Sequence, residues 1–432
     1  MKILIKGGRI INPATNLDEI KDVLIIDGLI KRIDERINDE ADNIIDASNL
    51  WVTPGLIDLH VHFREPGFEY KETIETGSKS AAKGGFTTVC CMPNTKPTID
   101  SKEIVQFVKN RAKEKAIVNI LIVGSITKGL QGEQLSDIED MVKVGIYAIS
   151  DDGRTVQNSN LKREGMAKAR SLNIPVFVHC EDETLLQGGV MNSGEISKQL
   201  GLPGILSEVE NVIIARDIVL AKGTNASLHI CHISTGLGVD LLKFGKNIGV
   251  KVTGEVCPHH FTLTDKEVLS SDANFKMNPP LRGEEDVRSI KKGLKYGIID
   301  VIATDHAPHH KDEKDAGFID APFGIIGLET ALPIAITELV DEGWLTPMEL
   351  IKKLTINPAR ILGIDKGDIS VGKVADITII DPTIEYKIDV GDFVSKSKNS
   401  PFHNKPVRGR VEYTIVNGKI VYSRGDPRSP AK

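Results

Sequence analysis

Through residues 53–365 the chain alternates two hydrophobic patterns. Short, β-branched apolar runs with few polar interruptions are separated by longer stretches in which apolar residues return every three or four positions. The first pattern suits strands buried on both faces and the second suits amphipathic helices, so the alternation predicts βα units around a parallel sheet. Eight runs stand in order, at 55–62, 87–94, 117–126, 145–152, 174–181, 227–234, 251–260 and 300–308. Helical periodicity is plain between them, for example at 101–115 and 285–297. Eight strands with crossover helices meet the requirement of a (β/α)8 TIM barrel. An open doubly wound sheet is the weaker choice, because no G-x-G-x-x-G follows the first run.

The two ends of the chain read differently. Residues 1–52 and 366–432 each carry a hydrophobic run, a polar-Gly pair (Asp27-Gly28 and Asn417-Gly418) and a second alternating run. That is the short-range hairpin signal. Two strand-rich ends around a barrel predict a small composite β-sandwich domain assembled from both termini, with two independent hairpins as the plainer alternative.

Composition narrows the class. The 432 residues carry 54 basic and 60 acidic side chains, a formal net charge of −6, with no basic block to hold nucleic acid. No apolar run reaches the roughly 18 residues that span a bilayer. The N-terminal MKILIKGGRIINPATN turns polar too early for a signal peptide. Five cysteines (Cys90, Cys91, Cys180, Cys231, Cys257) are sparse and odd in number, which fits free thiols in a reducing cytoplasm. A cytoplasmic enzyme without nucleic-acid or membrane partners is expected.

Seven of the eight runs carry His, Asp, Asn or Glu at or near their C-terminal end, the exception being the third, which ends in Ser125-Ile126. The C-terminal ends of barrel strands face the active-site mouth, where a purely structural barrel has no use for so many ionisable groups. The first run ends in His60-Val61-His62, and strand alternation points both imidazoles the same way. Asp151-Asp152 ends the fourth run and His179 lies at the end of the fifth, while His232 and Asp305 lie near the ends of the sixth and eighth. One H-x-H arises easily by chance. Four histidines and two carboxylates at strand ends suit a borderline divalent metal such as Zn²⁺. With cysteine so scarce, histidine and carboxylate must hold it, as in catalytic sites that keep a water.

HVHFREPG, MPNT, SDDG, VHCE, KMNPPLR and ATDHAPH together resemble the amidohydrolase superfamily and, within it, the type I dihydroorotases. The likeness covers essentially the whole chain, and Arg64, MPNT and KMNPP narrow it to the cyclic-amidase branch. It implies His60, His62 and Asp305 on a first zinc and His179 and His232 on a second. Asp152 is assigned the place of the carboxylated lysine that bridges the metals in many relatives. Asp151 competes for that place, since alternation lets only one of the two point inward. One or two zinc ions per subunit follow, two being the fuller reading.

The implied reaction is the reversible cyclisation of N-carbamoyl-L-aspartate to L-dihydroorotate, the third step of de novo pyrimidine synthesis. A zinc-bound hydroxide would act in the hydrolytic direction, with Asp305 as general acid and base. Substrate contacts fall to His62, Arg64, Asn94, Asn278, His309 and the backbone around Phe323-Gly324, with the planar Arg64 fork suited to the α-carboxylate. The rivals are another cyclic-amide hydrolase, allantoinase or dihydropyrimidinase, and a non-catalytic subunit of aspartate transcarbamoylase. A homodimer and a complex with active aspartate transcarbamoylase belong to the same expectation.

Other polar residues receive plainer readings. His259 and His260 are taken as support or packing, His229 as core-facing, and His306 and His310 as support for their neighbours. Cys180 and Cys231 adjoin ligands, but alternation turns both away, leaving them as buried small hydrophobes. The charged, Gly-containing stretch 309–327 reads as a lid or substrate loop over the mouth.

Overall fold

The computed structural model describes residues 1–426 and Ser429. Each of the eight apolar runs supplies one strand: β1 (Leu56–Val61), β2 (Phe86–Cys91), β3 (Asn119–Gly124), β4 (Ala148–Ile149), β5 (Val176–Val178), β6 (Leu228–Ile230), β7 (Val252–Val256) and β8 (Val301–Ile302). Each strand pairs in parallel with the next in the chain. The ring shuts between its first and last members. Val61 bridges His306 in parallel register, and the His62 N–H donates to the His306 carbonyl at 2.9 Å. Deeper in the barrel the Asp58 carboxylate accepts from the Thr304 N–H at 3.1 Å and hydroxyl at 2.6 Å.

Every residue of β1 and β2 is buried, which explains why their apolar runs lack the alternation of a half-exposed strand. The amphipathic helices cover the barrel with one face each. Helix Lys102–Lys115 buries Val105 and Val108, and helix Glu284–Lys295 buries Ile290 and Leu294. Four of the strands keep only two or three residues in the regular ladder. Their C-terminal continuations leave the sheet and build the mouth. His232 (φ 33°) and Asp305 (φ 48°) sit in this departing chain in the left-handed region, a conformation that non-glycine residues hold only when the surroundings dictate it.

The ends of the chain form a mixed eight-stranded sheet. The strand Trp51–Pro54 is its seam, parallel to Lys2–Asn12 and antiparallel to Ile377–Lys387. Both expected hairpin turns are present. Asp27 and Gly28 (φ 49° and 82°) and Asn417 and Gly418 (φ 51° and 73°) are left-handed pairs, as type I′ turns require. The two turns abut so closely that a Cβ on Gly418 would lie 2.3 Å from the Gly28 Cα. Ile3, Ile5, Ile10, Val23, Ile25, Ile377, Ile379 and Ile415 fill a core belonging to this sheet. The sheet joins strands from both ends of the chain, and residues 427, 428 and 430–432 lie outside the described residues.

Candidate active site

The six residues singled out at the strand ends converge on one buried cluster. His60, His62, Asp152, His179, His232 and Asp305 are each at most 8% exposed. His60 Nε2 lies 3.2 Å from Asp152 Oδ1 and 3.6 Å from Asp305 Oδ1. His62 Nε2 lies 3.0 Å from Asp305 Oδ1 and 3.4 Å from Asp152 Oδ2. On the other side of Asp152, His179 Nδ1 and His232 Nε2 are 3.0 Å apart, at 4.0 and 3.7 Å from Asp152 Oδ1. The Asp152 carboxylate thus faces all four imidazoles, with His60, His62 and Asp305 on one side and His179 and His232 on the other. Asp151 faces elsewhere: it accepts from the Ile126 N–H at 2.7 Å, the Thr127 N–H at 3.0 Å and the Thr127 hydroxyl.

The electrostatics of the cluster call for a cation. Burial alone would raise Asp152 and Asp305, yet His60, His62 and His232 hold both well below the usual carboxylate range. Burial would lower His60, but Asp152 and Asp305 raise it well above its ordinary value. Two buried carboxylates that draw a proton onto a buried imidazole form a site short of positive charge, and a divalent cation supplies it. His60 Nε2 and Asp152 Oδ1 are also buried without a hydrogen-bond partner. The ring tautomers suit the same role. His60 gives its Nδ1–H to Glu255 Oε1 at 2.8 Å and His62 gives its Nδ1–H to Asn94 Oδ1 at 2.8 Å, leaving both Nε2 lone pairs for a ligand. The 3.0 Å between His179 and His232 approaches the ~3.3 Å expected of two nitrogens on one tetrahedral zinc. The residues present fit a metal at this place.

Above the cluster a cavity of about 350 Å³ is lined by His62, Arg64, Asn94, Asp152, His179, His232, Asn278, Asp305, His309, Phe323 and Gly324, among others. Of the residues given a metal or substrate role from the sequence, all but His60 line this cavity. Arg64 (φ 61°) donates from Nε to the Pro308 carbonyl at 3.2 Å and has no carboxylate within ion-pair distance among the described residues. Burial pulls its pKa down to about 10 while Asp305 and Asp152 oppose that pull, so it stays a cation. Asn94 keeps its Nδ2 for the cavity, since Oδ1 is taken by His62. Asn278 gives its Nδ2 to Glu181 and keeps Oδ1. His309 is engaged at both ring nitrogens, by the Phe323 carbonyl at 2.8 Å and Lys71 Nζ at 3.3 Å. Gly324 has φ 124°, and a Cβ there would stand 2.8 Å from the Ala307 Cβ, so only glycine carries the wall past this point. Its N–H is committed to the Lys276 carbonyl at 3.0 Å, leaving the Phe323 N–H without a partner among the described residues.

A dihydro-orotase-like family model matches residues 50–236, and a model of the amidohydrolase family matches residues 334–422. A dihydroorotase of Ruminiclostridium cellulolyticum is 50% identical over 421 residues, 98% of each chain. One from Acetivibrio thermocellus is 49% identical over 97% of this chain and 98% of its own. This chain belongs to the dihydroorotase family. Among solved structures, an L-hydantoinase (dihydropyrimidinase) from Arthrobacter aurescens superposes with a TM-score of 0.88 at 28% identity, over 98% of this chain and 96% of that one. The barrel architecture is thus shared across cyclic-amide hydrolases, while the high identity lies with the dihydroorotases. Membership makes this chain a metal-dependent hydrolase.

Within the dihydroorotase family member described here, several supporting residues escaped the sequence reading. Glu255 Oε1 accepts from His60 and its Oε2 accepts from His229 Nε2 at 3.0 Å, while His229 Nδ1 lies 2.8 Å from the Thr253 hydroxyl. Burial would raise Glu255, yet His229 and His60 bring it down to about 2. The only signal in the sequence was the even spacing of Thr253 and Glu255 on β7, which strand alternation places on one face. Cys231 is a correction: its thiol stands beside His60 and Glu255 and is not turned away. The reason is His232, whose left-handed φ breaks the alternation on which the expectation rested. Glu255→Gln should weaken metal affinity about 10- to 100-fold, because an amide can accept from His60 or His229 but not both. Competition with a chelator measures it, and unchanged affinity would remove Glu255 from the support of the site.

Proposed function

We propose that this site interconverts N-carbamoyl-L-aspartate and L-dihydroorotate with loss or gain of water, the ring-closing step of pyrimidine synthesis, using two zinc ions. His60, His62 and Asp305 would hold one ion, His179 and His232 the other, and Asp152 would lie between them. Zinc bound there supplies Lewis acidity towards the reacting carbonyl and lowers the pKa of a coordinated water towards ~7. The remaining work belongs to the chain's own groups.

The observation that carries this reading is the unpaired Arg64 guanidinium on the wall of a cavity floored by the metal-ready cluster. Both reactants bear an α-carboxylate, and a planar guanidinium binds a carboxylate through two parallel hydrogen bonds. The Asn94 amide adds a donor to the same carboxylate, and the Asn278 carbonyl and the Phe323 N–H offer an acceptor and a donor to the ring amide edges. Asp305 presents Oδ1 to His60 and His62, and its Oδ2, without a partner among the described residues, can receive a proton. In ring closure that oxygen takes the proton from the attacking ureido nitrogen. In hydrolysis it takes a proton from water and returns it to the departing ring nitrogen. Asp152 cannot share this task, because both its oxygens face imidazoles. Substrates of the hydantoinase type carry no such carboxylate, so Arg64 separates the two readings.

Arg64→Ala should raise KM for dihydroorotate about 10- to 100-fold, the worth of charge-assisted hydrogen bonds, and leave metal content unchanged. Steady-state kinetics with metal analysis checks it, and a KM near the wild-type value would contradict the role. The proposal extends to a cytoplasmic setting, which the five free and buried cysteines support. Among the described residues no helix is long and apolar enough to cross a membrane. It also includes a homodimer, supported by Val219 and Phe244 exposed on the helices Glu208–Thr224 and Gly236–Asn247, and association with aspartate transcarbamoylase. Sedimentation of the protein alone and with that enzyme reads both.

A further inference from the structure

The loop after β8 holds a buried ammonium to which the reaction assigns no part. Lys314 ends the short helix Lys311–Lys314, is 6% exposed and has no acidic partner among the described residues. Its Nζ donates to three main-chain oxygens, those of Lys276 at 3.3 Å, Pro322 at 3.0 Å and Gly324 at 3.0 Å. Three N–H bonds meet three carbonyls, which fills the donor capacity of the group. The carbonyls belong to two separate segments. One carries Pro322, Phe323 and Gly324 on the cavity wall, and the other reaches Asn278, on the same wall, two residues after Lys276. The two segments also touch directly through the Gly324 N–H and the Lys276 carbonyl at 3.0 Å. A buried cation satisfied only by dipoles is costly to place, and nothing in the barrel core requires one here.

We propose that Lys314 is a positioning residue whose ammonium joins segments 276–278 and 322–324 into one wall of the substrate cavity, so that it sets affinity for dihydroorotate and carbamoyl aspartate and leaves the chemical step alone. The inference rests on the reading of this cavity as the substrate site. With the tripod intact the wall is formed before substrate arrives. Without it the competent arrangement is populated a fraction of the time, and apparent affinity falls by that fraction. Burial, helped by Lys276 and opposed by Asp272, brings the ammonium down to about 7. His309, His310, Lys311, Asp315, Lys396 and Lys398 are the other titratable groups around the neighbouring cavity, apart from Tyr70. As pH rises through that value one of the three donors is lost, and the wild-type wall loosens towards that of a variant lacking the ammonium.

The test is Lys314→Met, which keeps the length and removes the donors, assayed as metal-loaded enzyme with dihydroorotate. At pH ~6 its KM should exceed the wild-type value about tenfold, with kcat within about threefold. The ratio of the two KM values should shrink as pH is raised to ~9, because the wild type then gives up its own proton. A Glu/Asp-directed protease should cut the variant faster at Asp315 or Asp320. Lys314→Arg serves where the methionine variant does not fold: it keeps the charge, but a planar fork cannot aim at three carbonyls, so KM rises here too. Wild-type KM in these variants, or a KM ratio that ignores pH, overturns the proposal. Arg64→Ala run in parallel separates the two failures. If it raises KM while the Lys314 variants do not, Lys314 alone is wrong, and if it too leaves KM unchanged, the cavity reading fails.

Discussion

Asp305→Ala is expected to lower kcat at least about 10³-fold in both directions, within the range that a positioned general acid and base contributes. Asp305 lines the cavity and commits one oxygen to the cluster, the other having no partner among the described residues. Oδ1 faces His60 and His62, and the carboxyl, despite its burial, is held well below the usual carboxylate range by His60, His62 and His232. Its backbone sits at φ 48°, so the side chain is aimed by a conformation that a simple strand would not adopt. Asp305→Asn is the sharper variant, because an amide fills the same space and cannot accept the proton. Turnover is measured in both directions beside the metal content of each variant. Substantial activity with metal bound would exclude Asp305 as the proton carrier.

Asp152→Ala is expected to lose metal and activity together, with less than half of the wild-type metal retained after dialysis. Its carboxylate is the element common to both halves of the cluster, facing His60 and His62 on one side and His179 and His232 on the other. Removing it leaves four imidazoles with a single carboxylate, Asp305, on one flank. Asp151→Ala separates the two neighbouring acids. That carboxylate holds two backbone N–H groups and the Thr127 hydroxyl, so its loss should lower thermal stability, by roughly 1–3 kcal/mol for the buried donors left unpaired, while metal stays bound. Metal content and thermal unfolding on both variants check the pair. The reverse outcome would move the bridging role to Asp151.

The barrel was legible because its strands are buried on both faces, so most appear as apolar runs with polar residues near the mouth. The hairpins were legible because Asp27-Gly28 and Asn417-Gly418 meet the left-handed demands of their turns. Strand ends brought the candidate ligands to one mouth but left Asp151 and Asp152 as rivals, and the preference for Asp152 came from the family resemblance. What pattern could not supply depends on departures from regular strand geometry and on contacts between distant segments. Cys231 faces His60 because His232 leaves the strand conformation. Asn399 donates to the Ala307 and Gly324 carbonyls at 3.0 and 3.1 Å, so the connection between the last long strands of the terminal sheet braces the mouth of the barrel. Neither Asn399 nor Lys314 stands in a pattern that betrays its partners, which are main-chain oxygens brought near only by folding.

One measurement bears most directly on the central claim. The purified protein is analysed for metal and assayed for both dihydroorotate hydrolysis and carbamoyl aspartate cyclisation, before and after chelation and zinc return. The account predicts zinc at about two ions per chain, activity in both directions, and loss and recovery of that activity with the metal. Zinc binding without either activity, or activity indifferent to its removal, would contradict it.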